Sequence, residues 1–321
     1  MIFNFIKNRK KFYSVSITTT LIAIIALFTL PLNLGIDMTG GVQAEYNYSD
    51  KVDMNEVSKI LNDTKSNIKF EGKELINTVT AYKVSGENKF VIEAGLNQID
   101  NLDIKKLEEL KISFKDELSK KLTSMESSIS LTRYVNIGES FGAYIKQTAY
   151  ITLFLTIVFI SIYLAWAFRG SIEGFSSFPF AGVTIITLFH DVLVALGFYL
   201  ITSFFFPEFK VDTFFITAML TVLGYSVSDT IVIMDRIRSN LKNKLNKKLD
   251  FGSLVNNAIN ETLARSLFTS FTVFLTLVAM FFFGPITIKG FILAMMYGTI
   301  FGTYSSIAIA APLLYDISGK K

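Results

Sequence analysis

Six long apolar runs constrain the fold of this chain more than any other feature. A membrane-spanning helix needs roughly 20 consecutive, mainly apolar residues. The sequence meets that requirement at residues 12–30, 148–168, 178–204, 213–234, 266–283 and 290–314. Of its 321 residues, 51% are hydrophobic, a share that is unusual for a soluble chain of this length. The sequence therefore predicts an α-helical polytopic membrane protein with six transmembrane helices in a lipid bilayer.

The composition excludes several classes of function. The chain has no cysteine, which excludes disulfides, a thiolate nucleophile and a cysteine metal site, and its single histidine cannot build a histidine cluster. The net charge of +4 is modest, and no basic stripe interleaved with aromatic residues is present. We therefore expect no metal, no cofactor and no nucleic-acid partner.

Basic residues predict the orientation of the chain. Lys and Arg gather before the first apolar run, at Arg169, between Arg236 and Lys248, and at Lys320 and Lys321. The positive-inside rule then places both termini in the cytoplasm and the long segment after the first run outside it. No small-x-small cleavage site follows the first run, so we interpret that run as an uncleaved anchor in a bacterial cytoplasmic membrane.

The outside segment, residues 33–146, has the pattern of a folded domain. Alternating residues predict strands at 42–48, 75–84, 89–94 and 129–137, with a hairpin turn at 85–88. Helical spacing predicts one helix from Asp53 and a second over 107–122. The order β-α-β-β-α-β predicts one ferredoxin-like α+β extracytoplasmic domain. The expected organisation is 1–32 (cytoplasmic N-terminus and first span), 33–146 (domain), 147–314 (five spans) and 315–321 (cytoplasmic tail).

A glycine-rich junction separates the first span from this domain. Gly35, Gly40 and Gly41 fall within seven positions, together with Asp37. Glycine is the residue that most readily takes unusual backbone angles. The plain alternative is a tight turn between membrane and domain with no further role.

Asp229 and Arg265 interrupt or open apolar runs and are candidates for proton coupling. Ionisable groups in a membrane helix are costly, face partners and mark functional sites. At 1.5 Å per residue, Asp229 lies about 20–25 Å from the outer end of its run, in the inner half of the bilayer. An ion pair between Asp229 and Arg265 would form a proton switch if protonation of the carboxylate opened it. A permanent pair that only fixes helix packing is the alternative.

Other polar and small residues in or near the apolar runs are also candidates for function or for helix packing. His190 and Asp191 lie in the middle of the third run, as a second polar point of a proton path or as a packing hydrogen-bond pair. Adjacent helical positions point about 100° apart, so the two cannot address one partner equally. Asp235, Arg236 and Arg238 are expected at a cytoplasmic interface. Small residues predict close helix packing at Gly182, Gly197, Gly224, Ser226, Ser228, Gly298 and Gly302.

Four segments together resemble the SecF family of protein-export membrane proteins. They are Gly35-Ile-Asp-Met-Thr-Gly-Gly41, Leu188-Phe-His-Asp-Val192, Gly224-Tyr-Ser-Val-Ser-Asp-Thr-Ile-Val-Ile-Met-Asp-Arg-Ile-Arg238 and Glu261-Thr-Leu-Ala-Arg-Ser-Leu-Phe-Thr-Ser270. The resemblance covers nearly the whole chain, and the third segment is the most specific. The chain departs from the family pattern at Met38, Glu139, Ser228 and Ser239. None of these departures removes Asp229 or Arg265.

The resemblance implies a function in protein export. SecF is similar to one half of a resistance-nodulation-division (RND) transporter and pairs with SecD. Together they join the SecYEG channel, often with YajC, and use the proton gradient to move preproteins after the SecA motor has acted. The outside domain is expected to contact the emerging polypeptide or SecD.

Three alternatives to a SecF-like subunit stay open on the residues alone. The first is an RND-type proton-driven exporter of lipid or small molecules. The second is an intramembrane aspartyl protease that uses Asp191 with Asp229, although no Gly-x-Gly-Asp companion motif is present. The third is a passive scaffold that needs no protons. The resemblance favours a SecF-like subunit that is not an enzyme.

Overall fold

The computed structural model describes residues 3–49, 51–84, 87–97, 103–169, 178–243 and 250–318. The predicted hairpin residues Ser85 and Gly86, the basic residues 244–248, and Lys320 with Lys321 lie outside them. The chain divides into two compact units. The helical unit contains 1–32, 151–206 and 214–321, and the sheet domain contains 33–150 with 207–213.

The described residues form ten α-helices and six strands in the following chain order. They are α1 (Phe5–Thr29), α2 (Ile36–Thr39), β1 (Gly41–Asn47), α3 (Met54–Asn67), β2 (Lys69–Phe70), β3 (Lys73–Glu74), β4 (Ile76–Lys83), β5 (Lys89–Leu96), α4 (Ile104–Met125), β6 (Ser130–Ile137), α5 (Glu139–Ala167), α6 (Phe178–Phe205), α7 (Thr213–Asn243), α8 (Phe251–Phe283), α9 (Lys289–Ser305) and α10 (Ala311–Ser318).

Six helices in the described part of the chain are long and apolar enough to cross a membrane, which confirms the predicted number. They are α1, α5, α6, α7, α8 and the continuous α9–α10. Several extend beyond the apolar runs from which they were predicted. α8, for example, begins at Phe251 rather than Ser266, because the polar residues before Ser266 continue the helix and are capped by Asp250. Apolarity measures the membrane-spanning part of a helix, not its full length.

The interior of the helical unit is formed mainly by α6, α7 and α9–α10. Their buried side chains include Val183, Leu223, Ile233, Ile307 and Leu314. α1, α5 and α8 keep large apolar side chains exposed, such as Phe154, Phe159 and Phe268. Exposed apolar surface of this kind suits contact with lipid or with another membrane protein.

Glycines allow close helix contact at some of the predicted positions and not at others. A Cβ on Gly197 would lie 2.3 Å from the Cβ of Ala23 in α1, and a Cβ on Gly298 would lie 2.1 Å from Val222 in α7. The prediction was wrong for Gly182 and Gly224, since a Cβ on either would have no heavy atom within 4 Å. Both lie on helix surfaces that the helical unit leaves open.

A five-residue π-helical segment, Ser306–Ala310, joins α9 to α10. The segment is buried throughout. π-helical turns inside longer helices are rare and are frequent at functional sites. The sequence analysis did not predict it, because one extra residue in a helical turn leaves no mark in an apolar run.

The sheet domain has the predicted β-α-β-β-α-β order. Its four antiparallel strands lie in the order β4-β5-β1-β6, the strand order of a ferredoxin-like fold, and α3 and α4 pack on one face. The inward residues of β1 pair in register with β5, as Val42 with Ala94, Ala44 with Ile92 and Tyr46 with Phe90. The fold class predicted from the sequence is therefore confirmed.

Three local features of the sheet domain were missed. They are the single turn α2, the two-residue hairpin of β2 and β3, and the presence of residues 207–213 in this unit. The hairpin turns at Glu71 and Gly72, which both have positive φ. Residues 207–213 form a short connection between two spans, so nothing local to them indicates contact with a domain more than a hundred residues earlier.

Candidate functional site

Asp229 lies in α7 with its two carboxylate oxygens in different surroundings. The hydroxyl of Ser266, in α8, donates a hydrogen bond to Oδ1 at 2.5 Å. The other oxygen, Oδ2, is buried and makes no hydrogen bond of normal geometry to a described residue, and the Ser306 hydroxyl is a second hydroxyl near this carboxyl group. Asp229 therefore has one oxygen held by a neutral donor and one oxygen able to take a proton without losing a bond.

The predicted ion pair between Asp229 and Arg265 is not formed in this structure, although Arg265 lies near enough for its charge to act on the Asp229 carboxyl group. The described residues contain no salt bridge of Asp229, and Arg265 lies on the exposed side of α8. The buried side of α8 carries Thr262, Ser266 and Ser270 at a spacing of four. Because adjacent residues differ by about 100° around a helix, Ser266 faces Asp229 while its neighbour Arg265 does not.

Hydroxyl groups extend the surroundings of Asp229 into α9. The Tyr225 hydroxyl and the Thr303 hydroxyl each donate to Ser270 Oγ at 2.6 Å, and Ser270 donates to the Ser266 carbonyl at 2.7 Å. We call Asp229, Ser266, Ser270, Tyr225 and Thr303 the Asp229 cluster. The sequence analysis missed its hydroxyl members, although Ser and Thr recurring every four residues in an apolar run are a readable signal.

His190 and Asp191 form the centre of a second cluster. Asp191 is 0% exposed. Its Oδ1 lies 2.9 Å from His190 Nδ1, and its Oδ2 accepts hydrogen bonds from Ser226 at 2.5 Å and Ser305 at 2.6 Å. The other ring nitrogen of His190, Nε2, lies 2.8 Å from Ser16 Oγ in α1. The two adjacent residues thus bond each other, and the five side chains, called the His190–Asp191 cluster, join α1, α6, α7 and α9.

The two clusters meet along α7 and the π-helical segment. Ser226 belongs to the His190–Asp191 cluster and lies three positions before Asp229 on α7. One turn further, the Thr230 hydroxyl lies 3.2 Å from the Ser306 hydroxyl in the buried interior. Ser305, the last residue of α9, faces Asp191, and Ser306, the first residue of the π-helical segment, faces Thr230. Asp191 and Asp229 share no hydrogen-bond partner among the described residues, so the arrangement does not resemble an aspartyl protease pair, in which two carboxylates share one site.

The junction residues adopt the unusual backbone expected of them. Gly40 has φ 75° and Gly41 has φ 153°. A Cβ on Gly41 would lie 2.3 Å from the carbonyl oxygen of Ala94 in β5. Asp37 accepts a hydrogen bond from the backbone N–H of Thr213 at 2.7 Å, and a Cβ on Gly35 would lie 2.5 Å from Asp37 Oδ1. The motif therefore serves a specific set of contacts within the sheet domain.

The residues predicted at a cytoplasmic interface make contacts near one end of the helical unit. Arg236 pairs with Glu261 at 2.6 Å, Arg238 donates to the Ala167 carbonyl at 3.4 Å, and Asp235 is exposed. The chain ends also meet, through the 3.0 Å ion pair between Arg9 and Asp316. The first helix begins, and the last described helix ends, at the same end of the helical unit.

The fold and the buried polar clusters first define a class of protein. The chain is a multi-pass α-helical membrane protein with one ferredoxin-like domain and ionisable groups buried inside its spans, a feature that marks transport proteins. The family model "Protein export membrane protein SecD/SecF, C-terminal" matches residues 117–320, and the model "SecD/SecF GG Motif" matches residues 25–52. The chain belongs to the SecF family of protein translocase subunits.

Individual relatives agree with this assignment. The chain is similar to the protein translocase subunit SecF of Endomicrobium trichonymphae, with 31% identity over 98% of this chain and 90% of the relative. The SecF of Sebaldella termitidis is 32% identical over 96% of this chain and 90% of the relative. Each alignment covers nearly the full length of both proteins.

Solved structures show the same fold. The crystal structure of SecDF from Thermus thermophilus, described as a translocon-associated membrane protein, matches with a TM-score of 0.75, 26% identity and 99% of this chain covered. SecDF in a super-membrane-facing form matches with a TM-score of 0.63. The chain spans only 39% of the SecDF chain in both comparisons.

Proposed function

We propose that this SecF-family subunit pairs with SecD and uses the proton-motive force to promote preprotein translocation through the SecYEG channel. Support comes from its relatives, which are named translocase subunits, and from its similarity to 39% of a SecDF chain, whose remainder would correspond to the partner. The wider assembly in this proposal includes YajC and the SecA motor. The proposed membrane is the bacterial cytoplasmic membrane, with residues 1–32 and 315–321 reaching the cytoplasm, 33–146 outside, and 147–314 forming the remaining spans.

The observation that carries proton coupling is the half-satisfied carboxyl group of Asp229. A carboxylate accepts hydrogen bonds at both oxygens, whereas a carboxylic acid both donates and accepts. Ser266 bonds one oxygen, and the other is buried and makes no hydrogen bond of normal geometry within the described residues. A proton can therefore enter and leave at Oδ2 while the Ser266 bond is kept or exchanged.

Arg265 supplies the second state of the proposed switch. It precedes Ser266 on α8, so a rotation of α8 by about 100° would bring the guanidinium toward Asp229 in place of the hydroxyl. Ionised Asp229 favours the arginine, because opposite charges attract strongly in a low-dielectric interior. Protonated Asp229 favours the neutral serine. The structure then corresponds to the state in which the ion pair is open.

The exposed position of Arg265 also supports a partner subunit. Arg265 stands at the start of the apolar run of α8, and a cation exposed to lipid there is costly unless protein or water covers it. The side of α8 around Arg265 also exposes Phe268, which is 70% exposed. A SecD subunit packed against α8 would cover both residues. It would shield the Arg265 guanidinium from lipid while the ion pair with Asp229 is open.

The energy of the proton gradient suits such a switch. One unit charge that crosses the membrane field gains about 2.3 kcal/mol per 100 mV. That free energy biases a two-state equilibrium about fiftyfold per 100 mV. His190, which is partly buried, and Asp191, which is buried, bond residues of α1, α7 and α9 and are the second group of this proposed path.

Preprotein export by reconstituted SecYEG, SecA and SecD tests the proposal. We expect Asp229→Asn and Arg265→Ala each to abolish the stimulation of export by a proton gradient at matched membrane abundance. The double variant is expected to be no worse than either single one, because the two residues act as one unit. Glu109→Gln, which changes an exposed carboxylate of α4, is the control. Full gradient-dependent export by Asp229→Asn would end the proposal.

A further inference from the structure

The connection between α6 and α7 is bound to the junction through an isolated parallel β-bridge. Val211 N–H donates to the Asn33 carbonyl at 2.8 Å, and Gly35 N–H donates to the Val211 carbonyl at 2.9 Å. Leu34 and Val211 form a parallel bridge. The Asn33 side-chain amide adds a bond to the Pro207 carbonyl at 2.9 Å. Residues 207–213 and 33–37 are therefore held together by backbone and side-chain hydrogen bonds along most of their length.

Asp37 links the junction to the first residue of α7. Its Oδ2 accepts the backbone N–H of Thr213 at 2.7 Å and also the Thr213 hydroxyl. The first N–H groups of a helix have no partner within the helix, and a negative charge there is favoured by the helix dipole. Asp37 thus caps α7 from a distant part of the chain. Gly35 leaves the space this requires, because a Cβ there would also lie 2.8 Å from Asp212 Cβ.

Lys210 links the same connection to the centre of the sheet. Its ammonium group pairs with Glu93 of β5, in a pair whose two side chains are both about 10% exposed. Glu93 also accepts hydrogen bonds from the Tyr82 hydroxyl at 3.0 Å and from Gln43 at 3.3 Å. Burial, followed by the charge of Glu93, raises the pKa of Tyr82 above its ordinary value, so its hydroxyl stays protonated as the donor. The connection is therefore fixed to the sheet domain at two separate points.

We propose that Asp37 and Lys210 are positioning residues that fix the start of α7 to the sheet domain, so that the domain and Asp229 respond to each other. Asp229 lies sixteen residues after Thr213 on the same helix, about 24 Å along its axis. A helix transmits a displacement or rotation of its first turn along its length. The coupling to protons rests on the proposed function, whereas the attachment of α7 to the domain does not.

Hydrogen exchange of the full chain in nanodiscs tests the attachment. We expect Asp37→Ala to increase amide exchange in the first turn of α7 about fivefold, the factor that a typical cap corresponds to. Asp37→Asn is expected to keep most of the protection, because asparagine caps equally well. The matched control is Asp250→Ala, which removes an aspartate cap of α8 that accepts Ser253 N–H at 3.0 Å. It should accelerate exchange at the start of α8 only.

Unchanged exchange at the start of α7 in Asp37→Ala would overturn the attachment. Should that variant unfold the sheet domain, Lys210→Gln replaces it, with the expectation of at least twofold faster exchange over residues 207–213. Equal exchange in Lys210→Gln and the native chain would overturn the proposal in the same way.

Transmission is tested with Asp229→Asn, which mimics the protonated state. We expect this change to alter exchange over residues 33–41 at least twofold, and the Asp37→Ala background to remove that effect while Asp250→Ala preserves it. If Asp229→Asn loses gradient-driven export but exchange at 33–41 is the same in every background, the positioning role fails and the proposed function stands. If exchange is transmitted but export keeps its gradient dependence, the proposed function fails and the positioning role stands.

Discussion

At the scale of single residues, the surroundings of the Asp229 carboxyl group are set by which of two adjacent residues of α8 faces it. Arg265 and Ser266 are adjacent, and only Ser266 is buried against Asp229. The sequence predicted Asp229 as the central residue because a charge in an apolar run is costly. It could not predict the serine, because the rotation of α8 is set by the packing of Thr262, Ser266 and Ser270, which lies outside any local pattern.

Removal of the Ser266 hydroxyl tests its role as the partner of Asp229. We expect Ser266→Ala to destabilise the protein by about 1–3 kcal/mol, because a buried acceptor loses its hydrogen bond. Ser161→Ala is the control, since the Ser161 hydroxyl donates only to the Ile157 carbonyl of its own helix in the described structure. The measurement is thermal unfolding in detergent, and equal midpoints for the two variants would contradict the assignment.

At the scale of helices and strands, the pattern of apolar residues along the chain predicted nearly all of the architecture. The six spans and the order of the sheet domain follow from apolar runs and alternation, which are local in the sequence. The π-helical segment was missed, although it begins between Ser305, which bonds Asp191, and Ser306, which lies near Thr230. Close helix packing was predicted at Gly298 and Gly302, and the structure shows that these two glycines face Val222 and Ser226 of α7, a partner that the sequence did not indicate.

Alanine substitutions at two glycines test whether a glycine is needed for close helix contact or can be replaced without cost. We expect Gly298→Ala to destabilise the helical unit by about 1–3 kcal/mol, because its Cβ would overlap Val222. Gly182→Ala, with no heavy atom within 4 Å of its Cβ, should be neutral or slightly stabilising. Thermal unfolding of both variants gives the comparison. Val222→Ala in the Gly298→Ala background should recover part of the loss, and its failure to do so would count against the contact.

At the scale of the whole molecule, the two units are not two continuous pieces of chain. Residues 207–213 lie between two spans in sequence but belong to the sheet domain. The sequence predicted a domain at 33–146 because the polar pattern ends there. Residues 207–213 belong to the sheet domain because they contact Asn33, Asp37 and Glu93, which are more than a hundred residues earlier in the chain.

The sheet domain expressed alone shows what this connection contributes. We expect residues 36–138 to unfold cooperatively, with a mixed α/β circular dichroism spectrum. Without Lys210, Glu93 loses its counter-charge, so Glu93→Gln should raise the melting temperature of the isolated domain and lower that of the full chain. A disordered spectrum for residues 36–138 would contradict independent folding, and the same sign of change in both contexts would contradict the role of Lys210.

The natural absence of cysteine allows the proposed orientation to be tested without background. Lys73→Cys in β3 and Lys242→Cys near the end of α7 should be labelled from opposite faces of the membrane by an impermeant thiol reagent. We expect Lys73→Cys to react in intact cells and Lys242→Cys only after the membrane is opened. Reaction of both in intact cells would refute the orientation.

The meeting of the two chain ends has a consequence for biosynthesis. Arg9 pairs with Asp316 across 307 positions, and Ser16 bonds His190 across 174. At about 5–20 residues per second, the ribosome takes roughly 15–60 s to deliver the partner of Arg9 after Arg9 itself has emerged. The first helix must therefore wait with Ser16 unmatched until α6 is made, and with Arg9 lacking Asp316 until α10 is made. A nascent chain stopped before α10 is in that period a natural client for membrane chaperones and quality-control proteases.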